Sequence, residues 1–198
     1  MCGPDARSVG GETRPPRHGR QWRRQRADLP GAVTGESAGP RFLADAMLGR
    51  LARWLRVLGL DTEYDPSVDD PDLVTWAARE GRVLLTRDRH LVEHLRPPRS
   101  VLVQSDAPLG QLREVVGACG VGAPAALFSR CPVCNGALRR ATDEERERLV
   151  PERARSLPGP VHRCPRCLRV YWLGSHTERM RRTLAGAFPE WSAPDAGR

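Results

Sequence analysis

Three short apolar runs within residues 41–106 each give out into an aspartate, and that pattern limits the possible folds more than anything else in the chain. Arg41-Phe42-Leu43-Ala44 runs into Asp45, Arg82-Val83-Leu84-Leu85-Thr86-Arg87 into Asp88, and Ser100-Val101-Leu102-Val103-Gln104-Ser105 into Asp106. Residues 61–64 read as a further short strand. Helical patterns lie between the runs. Leu48, Leu51, Ala52, Leu55 and Leu58 recur at helical spacing up to Gly59. Asp69-Asp70-Pro71-Asp72 opens a second helix that stops at Gly81, and Pro108 starts a third through Leu112, Val115 and Val116 to Gly117. Short strands alternating with helices predict an α/β fold, a parallel sheet with crossover helices on its faces. Ligands in such sheets bind in the crevice beyond the carboxyl ends of the strands.

Carboxylates gathered in that crevice repel one another unless they protonate or share hard cations, and magnesium or manganese held by carboxylates and water is the common solution. The arrangement suits phosphodiester hydrolysis. Each acid also has a plainer role, because aspartate at a helix N-terminus is stabilised by capping and by the helix dipole. One of Asp69, Asp70 and Asp72 is expected to be such a cap, with Asp70 or Asp72 facing the site. Asp88 is open to the same reading, since Leu91, Val92 and Leu95 after it make a short helix. Arg50, Arg53 and Arg56 mark another face of the first helix, close behind Asp45. Arg53 is placed either to grip phosphate or to sit on a solvated face, and the solvated face is the expectation for Arg56.

The charge distribution sharpens this picture. All 32 basic residues are arginine, which excludes a P-loop and a Schiff base, both of which need lysine. The net charge of +8 divides into +4 over residues 1–41, −2 over 42–129 and +6 over 130–198. An acidic middle favours cations, whereas basic flanks favour a polyanion such as RNA. Residues 1–40, rich in Gly, Pro, Arg and Ser, are expected to be a disordered basic tail. No apolar run approaches the ~20 residues of a membrane span, so no membrane association is expected and the expected location is cytoplasmic.

Cys131-Pro132-Val133-Cys134 and Cys164-Pro165-Arg166-Cys167 form two C-x-x-C knuckles separated by 29 residues. Two knuckles complete a tetrahedral zinc site, and four thiolates leave no open position, so the zinc is structural. The competing reading, two disulfides or a redox pair, is disfavoured in a cytoplasmic chain. Cys119 reads as a packed thiol. Residues 143–149 read as a short exposed helix inserted in the ribbon, and Val170-Tyr171-Trp172 has strand character. Ser175 and Glu178 are expected to form a capping box. His176 beside them is a candidate substrate contact, with a purely structural histidine as the alternative. The chain is expected to fray from residue 185.

The stretch Arg41-Phe42-Leu43-Ala44-Asp45-Ala46-Met47-Leu48-Gly49-Arg50-Leu51-Ala52-Arg53-Trp54-Leu55-Arg56, then Leu84-Leu85-Thr86-Arg87-Asp88, then Gln104-Ser105-Asp106, then the two knuckles and Tyr171-Trp172-Leu173-Gly174-Ser175-His176 resemble the Mut-seven C-terminal RNAse domain family. The resemblance covers about residues 41–184. It implies a PIN-like nuclease domain, three layers around a parallel sheet, over 41–128, followed by a zinc ribbon over 129–184. It further implies that Asp45, Asp88 and Asp106 bind magnesium or manganese, with Asp70 matching the remaining acid, where PIN domains more often carry a helical Glu.

The expectation is therefore a metal-dependent ribonuclease with catalytic Asp45, Asp70, Asp88 and Asp106, and with Arg53, Arg87 and His176 on the substrate. RNA is the expected partner, while an antitoxin-like protein partner and the oligomeric state are left open. Two alternatives stand beside it: a non-catalytic zinc-ribbon adaptor that binds nucleic acid, and a metal-dependent phosphatase.

Overall fold

The computed structural model describes residues 39–192, so the tail through residue 38 and the last six residues, which carry the expected disorder and part of the expected fraying, lie outside the described residues. Four parallel strands form the central sheet: β1 (Phe42–Ala44), β2 (Thr62–Tyr64), β3 (Val83–Thr86) and β4 (Ser100–Leu102), in the order β2-β1-β3-β4. Phe42 pairs with Thr62 on one side and Val83 on the other. From β1 the chain goes first to one neighbour and then, after β2, to the other, so the order reverses between β1 and β3. That reversal is a topological switch point, the place where open α/β sheets bind ligands.

Helices α1 (Gly49–Val57) and α2 (Asp70–Glu80) supply the first two crossovers, a short turn at Leu91–Leu95 lies in the third, and α3 (Pro108–Ala118) follows β4. Alternation along β1 and β3 assigns them to faces. Phe42, Ala44, Val83 and Leu85 pack with Leu51 and Leu55 of α1 and Leu112 and Val115 of α3. Leu43 and Leu84 pack against Leu73, Trp76 and Ala77 of α2, together with Leu91. The result is helices, sheet, helix, in three layers. α2 starts where Asp69 accepts from the Asp72 amide at 3.1 Å and stops at Gly81, whose φ of +61° is the left-handed cap that favours glycine. Residues 125–128 form a connection and not a strand: Phe128 takes φ +60° and its amide donates to the Val57 carbonyl at 2.8 Å.

The second module is a three-stranded antiparallel sheet of β5 (Arg139–Arg140), β6 (His162–Arg163) and β7 (Val170–Tyr171), with α4 (Asp143–Leu149) and α5 (Glu152–Arg155) between β5 and β6. α6 (Ser175–Ala187) follows. Two expectations are corrected here. The capping box belongs to α4, where Thr142 and Glu145 exchange bonds of 3.2 and 3.0 Å. Ser175 is already the first residue of α6, so Gly174 holds the cap position and has no side chain to offer. Glu145 is spoken for by Arg139 in a two-pronged pair and by Arg163; Arg139 foremost, then the Thr142 backbone, hold its carboxyl well below the usual range. The described chain also stays packed beyond residue 185, because Phe188 is buried in the main core and stacks on Trp191.

Arg56 is not solvated. It is buried, and its guanidinium donates to the carbonyls of Thr62, Pro132 and Val133 at 2.8, 3.1 and 2.9 Å, tying α1 and β2 to the first knuckle. Asn135, in the left-handed region at φ +64°, completes the joint. Its side chain accepts from the Thr62 amide at 3.1 Å and donates to Asp61 and Glu63 at 2.8 and 3.2 Å. Burial works against charge on Asp61, but Arg82, Asn135 and Arg130 outweigh it and hold that carboxyl below its ordinary value. The knuckle is thus hydrogen-bonded to the outer edge of the nuclease-like sheet. Asn135→Ala is expected to destabilise the whole chain by about 2–4 kcal/mol in one cooperative denaturant transition, since each buried polar group left without its partner costs about 1–3 kcal/mol. Two separate transitions would show that the sheet and the ribbon fold independently.

Candidate functional site

Three fully buried residues in β1 carry Asp45 to the switch point, where its amide donates to the Leu85 carbonyl at 2.9 Å. Its carboxylate is nearly enclosed, at 7% exposure. One oxygen caps the short 3-10 turn Ala46–Leu48 by accepting from the Ala46 amide, and the other accepts from the Thr86 hydroxyl at 2.7 Å. Thr86 is fully buried at the end of β3, and its hydroxyl also accepts from the Asp88 amide at 3.0 Å. Asp88 in turn accepts from the amides of His90 and Leu91 at 2.7 and 3.3 Å through a single oxygen, opening the π-helical turn Leu91–Leu95. The capping reading therefore accounts for Asp69 wholly, for Asp45 partly and for one oxygen of Asp88.

Asp70, in the first turn of α2, joins these two electrostatically. Its carboxyl is pushed above the ordinary aspartate value by burial first and then by the charges of Asp45, Asp88 and Asp69, with His90 opposing. Charges from two other parts of the chain thus bear on Asp70. Asp106 is placed differently. Its side chain is 92% exposed and pairs with Arg87. The loop that carries it is held by Glu114 of α3, which accepts from the amides of Gln104 and Ser105 at 2.7 and 2.8 Å.

Arg53 is exposed on α1, and its charge reaches Tyr64. Tyr64 closes the Asp45 side of the crevice: its hydroxyl donates to the Ala46 carbonyl at 2.9 Å, and a Cβ at Gly49 would stand 2.8 Å from that hydroxyl. Burial, then the charge of Asp45 and Asp65 against that of Arg53 and Arg56, raises the phenol above its usual value. His176 lies exposed in the first turn of α6 and makes no side-chain hydrogen bond or ion pair among the described residues. Sequence reasoning passed over Thr86, Tyr64 and Glu114. Tyr64 had a detectable signal, since it ends β2 as Asp45 ends β1; a threonine in an apolar run and a glutamate in a helix had none.

The cysteines converge more tightly. The ligand atoms of Cys131, Cys134, Cys164 and Cys167 lie within 4.8 Å of one another, the one such group of three or more metal-ligating side chains among the described residues. Sulfur separations of 3.6 Å (Cys131 to Cys167) and 3.4 Å (Cys134 to Cys164) approach the roughly 3.8 Å of a tetrahedron with 2.3 Å metal–sulfur bonds. Hydrogen bonding from Cys134 and from the Tyr171 hydroxyl draws the Cys131 thiol down to about 4, against the effect of burial. The same pairing pushes Cys134 up, and burial first, then the Cys131 charge, pushes Cys167 up to about 11. The four cysteines are positioned to bind a metal ion. No three carboxylates come that close to one another among the described residues.

The family model of the Mut7-C RNAse domain matches residues 40–184. The chain belongs to that family. Membership of an RNAse domain family gives it a nuclease, RNA-related function. No curated protein and no solved structure matches it. No helix among the described residues is long and apolar enough to cross a membrane.

Two measurements probe the site. Thr86→Val keeps the shape but removes a buried hydroxyl that serves both acids, so it is expected to lower stability by about 1–3 kcal/mol in denaturant titration. The sign for Asp70 follows from its raised value. The folded state disfavours its charge, so that penalty is present at neutral pH and is relieved as pH falls through the raised range. A divalent cation bound beside it would relieve the penalty at pH 7 instead. Millimolar manganese is therefore expected to raise the melting temperature of the wild type, and Asp70→Asn to raise it in chelator and blunt the response to manganese. An unchanged manganese response in Asp70→Asn would remove that residue from the site.

Proposed function

We propose that this member of the Mut7-C RNAse domain family is a metal-dependent ribonuclease whose reaction centre is the crevice between β1 and β3. The observation that supports this reading most is the Thr86 hydroxyl that joins two acids at the switch point, 2.7 Å from the Asp45 carboxylate and 3.0 Å from the Asp88 amide, with Asp70 in the first turn of α2. Asp45, Asp88 and Asp70 would hold magnesium or manganese, with Asp106 at the border of the same cleft. Such an ion, when bound, activates water and neutralises charge developing on a phosphodiester.

The chain's own residues do the positioning. Thr86 and the Ala46 amide orient the Asp45 carboxylate, while the amides of His90 and Leu91 hold one oxygen of Asp88 and leave the other for the site. Arg53 lies on α1 just behind Asp45, where it neutralises non-bridging phosphate oxygens. Arg87 is paired with Asp106, so a phosphate arriving there competes with a carboxylate for the guanidinium. His176 and the arginines of the ribbon sheet, Arg139 and Arg140 among them, contact the RNA backbone, which makes binding strongly salt dependent. Structural zinc on the four cysteines keeps the ribbon in place, in the reducing cytoplasm where thiolates persist.

The capping bonds of Asp45 and Asp88 favour one other reading, a nucleic-acid-binding adaptor in which these acids only hold the backbone. Incubating wild type and Asp88→Asn with labelled single-stranded RNA, structured RNA and DNA, in manganese, magnesium or chelator, separates the two. The side-chain amide introduced by Asp88→Asn has an oxygen that keeps the cap, and it preserves the volume while removing the charge. Cleavage is expected only with metal and to fall by about 100-fold or more in Asp88→Asn, with its melting temperature held. Binding with no metal-dependent cleavage in the wild type would establish the adaptor instead.

A further inference from the structure

A groove of about 430 Å³ lies between α6 and the connection formed by residues 121–128, and none of Asp45, Asp70, Asp88 and Asp106 lines it. α1 and α3 both begin at the acidic end of the sheet and run away from it. The connection is fastened to their far ends, Val121 by its amide to the Val116 carbonyl at 2.9 Å and Phe128 to that of Val57 at 2.8 Å. At 1.5 Å per residue, the 11 residues of α3 separate the groove from the acidic end by about 16 Å. Its volume falls within the about 300–1,000 Å³ typical of sites for small organic groups.

The walls of the groove combine an aromatic platform with positive charge. Phe188 is buried in the core, and Trp191 stacks on it with ring centroids 4.0 Å apart and planes 7° from parallel. Phe188 covers one indole face, so the exposure left to half-buried Trp191 comes from its other face and its edges. Leu127 and Pro124 line the opposite wall. Arg181 and Arg182 stand on the rim, where neither makes an ion pair among the described residues, and Glu178 is the only acid among the described residues that line the groove. A flat π surface backed by a second ring, beside two unpaired guanidinium groups, is the combination that single-stranded nucleic acid recognises: a base stacks and its phosphates pair with arginine. An apolar peptide would use the platform but leave both arginines idle.

We infer that this groove is a nucleobase anchor for single-stranded RNA, with one base on Trp191 and the flanking phosphates on Arg181 and Arg182. The inference rests on the ribonuclease reading above and adds a second, remote contact to it. At the 3.4 Å spacing of stacked nucleotides, a strand needs about five nucleotides to run from the acidic cleft to the anchor. RNA shorter than that reaches the acids alone.

The test compares a trinucleotide with an oligonucleotide of about twelve nucleotides. Affinity for the longer RNA is read by fluorescence anisotropy in chelator, and cleavage of both is read with manganese. Trp191→Ala and the double variant Arg181→Glu, Arg182→Glu are each expected to weaken binding of the longer RNA about 10-fold or more. Trp191→Phe should retain most of the affinity, and trinucleotide cleavage should be unchanged in all three. Because the arginines are exposed, the double variant keeps the inference testable if Trp191→Ala fails to fold. Wild type that binds and cuts RNA, with both variants within about 2-fold of it on the longer strand, overturns the anchor while leaving the ribonuclease reading intact. The same outcome is expected if another protein is the ligand of the groove. Wild type that neither binds nor cuts RNA overturns both.

Discussion

A buried hydroxyl between two acids is the interaction on which the rest of the candidate site depends. Thr86 donates to Asp45 and accepts from the backbone of Asp88, so one side chain sets the spacing of carboxylates that belong to different strands. Like charges brought together in a half-enclosed crevice favour protonation or separation. Here the opposing force is made of small, fixed contributions: the Thr86 hydroxyl, the Ala46 amide and the amides that open the turn after Asp88. These donors satisfy part of each carboxylate, and Asp70 is held above its ordinary value by burial first and then by the charges of Asp45 and Asp88. The fold thereby stores negative potential where the strand order reverses.

The same economy of buried polar groups explains how a small ribbon and a small sheet become one body. Neither β2, a three-residue edge strand, nor a two-residue knuckle turn has much apolar surface to bury. Their contact is therefore made by hydrogen bonds, through Arg56, Asn135, Asp61 and Arg82, in a setting where an unpaired group is costly. Metal binding at the cysteines fixes the turn that presents the Pro132 and Val133 carbonyls, so a metal ion held there supports the sheet as well as the ribbon.

The parts legible in advance were those encoded in local pattern. Period and punctuation located all four strands of the main sheet and the three helices packed on it to within a residue or two, because apolar runs, proline starts and glycine stops act over a few neighbours. Cysteine spacing revealed the metal knuckles for the same reason. Arg56 was misjudged because helical spacing gives only its face, whereas what covers that face arrives from residues 132 and 133, far along the chain. The capping box was misplaced because Ser175 and Glu178 satisfy the spacing, yet the helix boundary is set by where the preceding strand β7 releases the chain.

By itself the amino-acid order determined that this chain forms an α/β sheet with acids at its strand ends and a four-cysteine metal module behind it, since both follow from short-range periodicity and from the coordination chemistry of thiols. Only the tertiary structure decided which acids act together. Asp45 and Asp88 share the Thr86 hydroxyl because β1 and β3 are neighbours, while α2 opens with Asp70 in its first turn and Asp106 pairs with Arg87. Electrostatic coupling falls off over a few ångströms, and separations that short between distant residues are set by packing, not by sequence spacing.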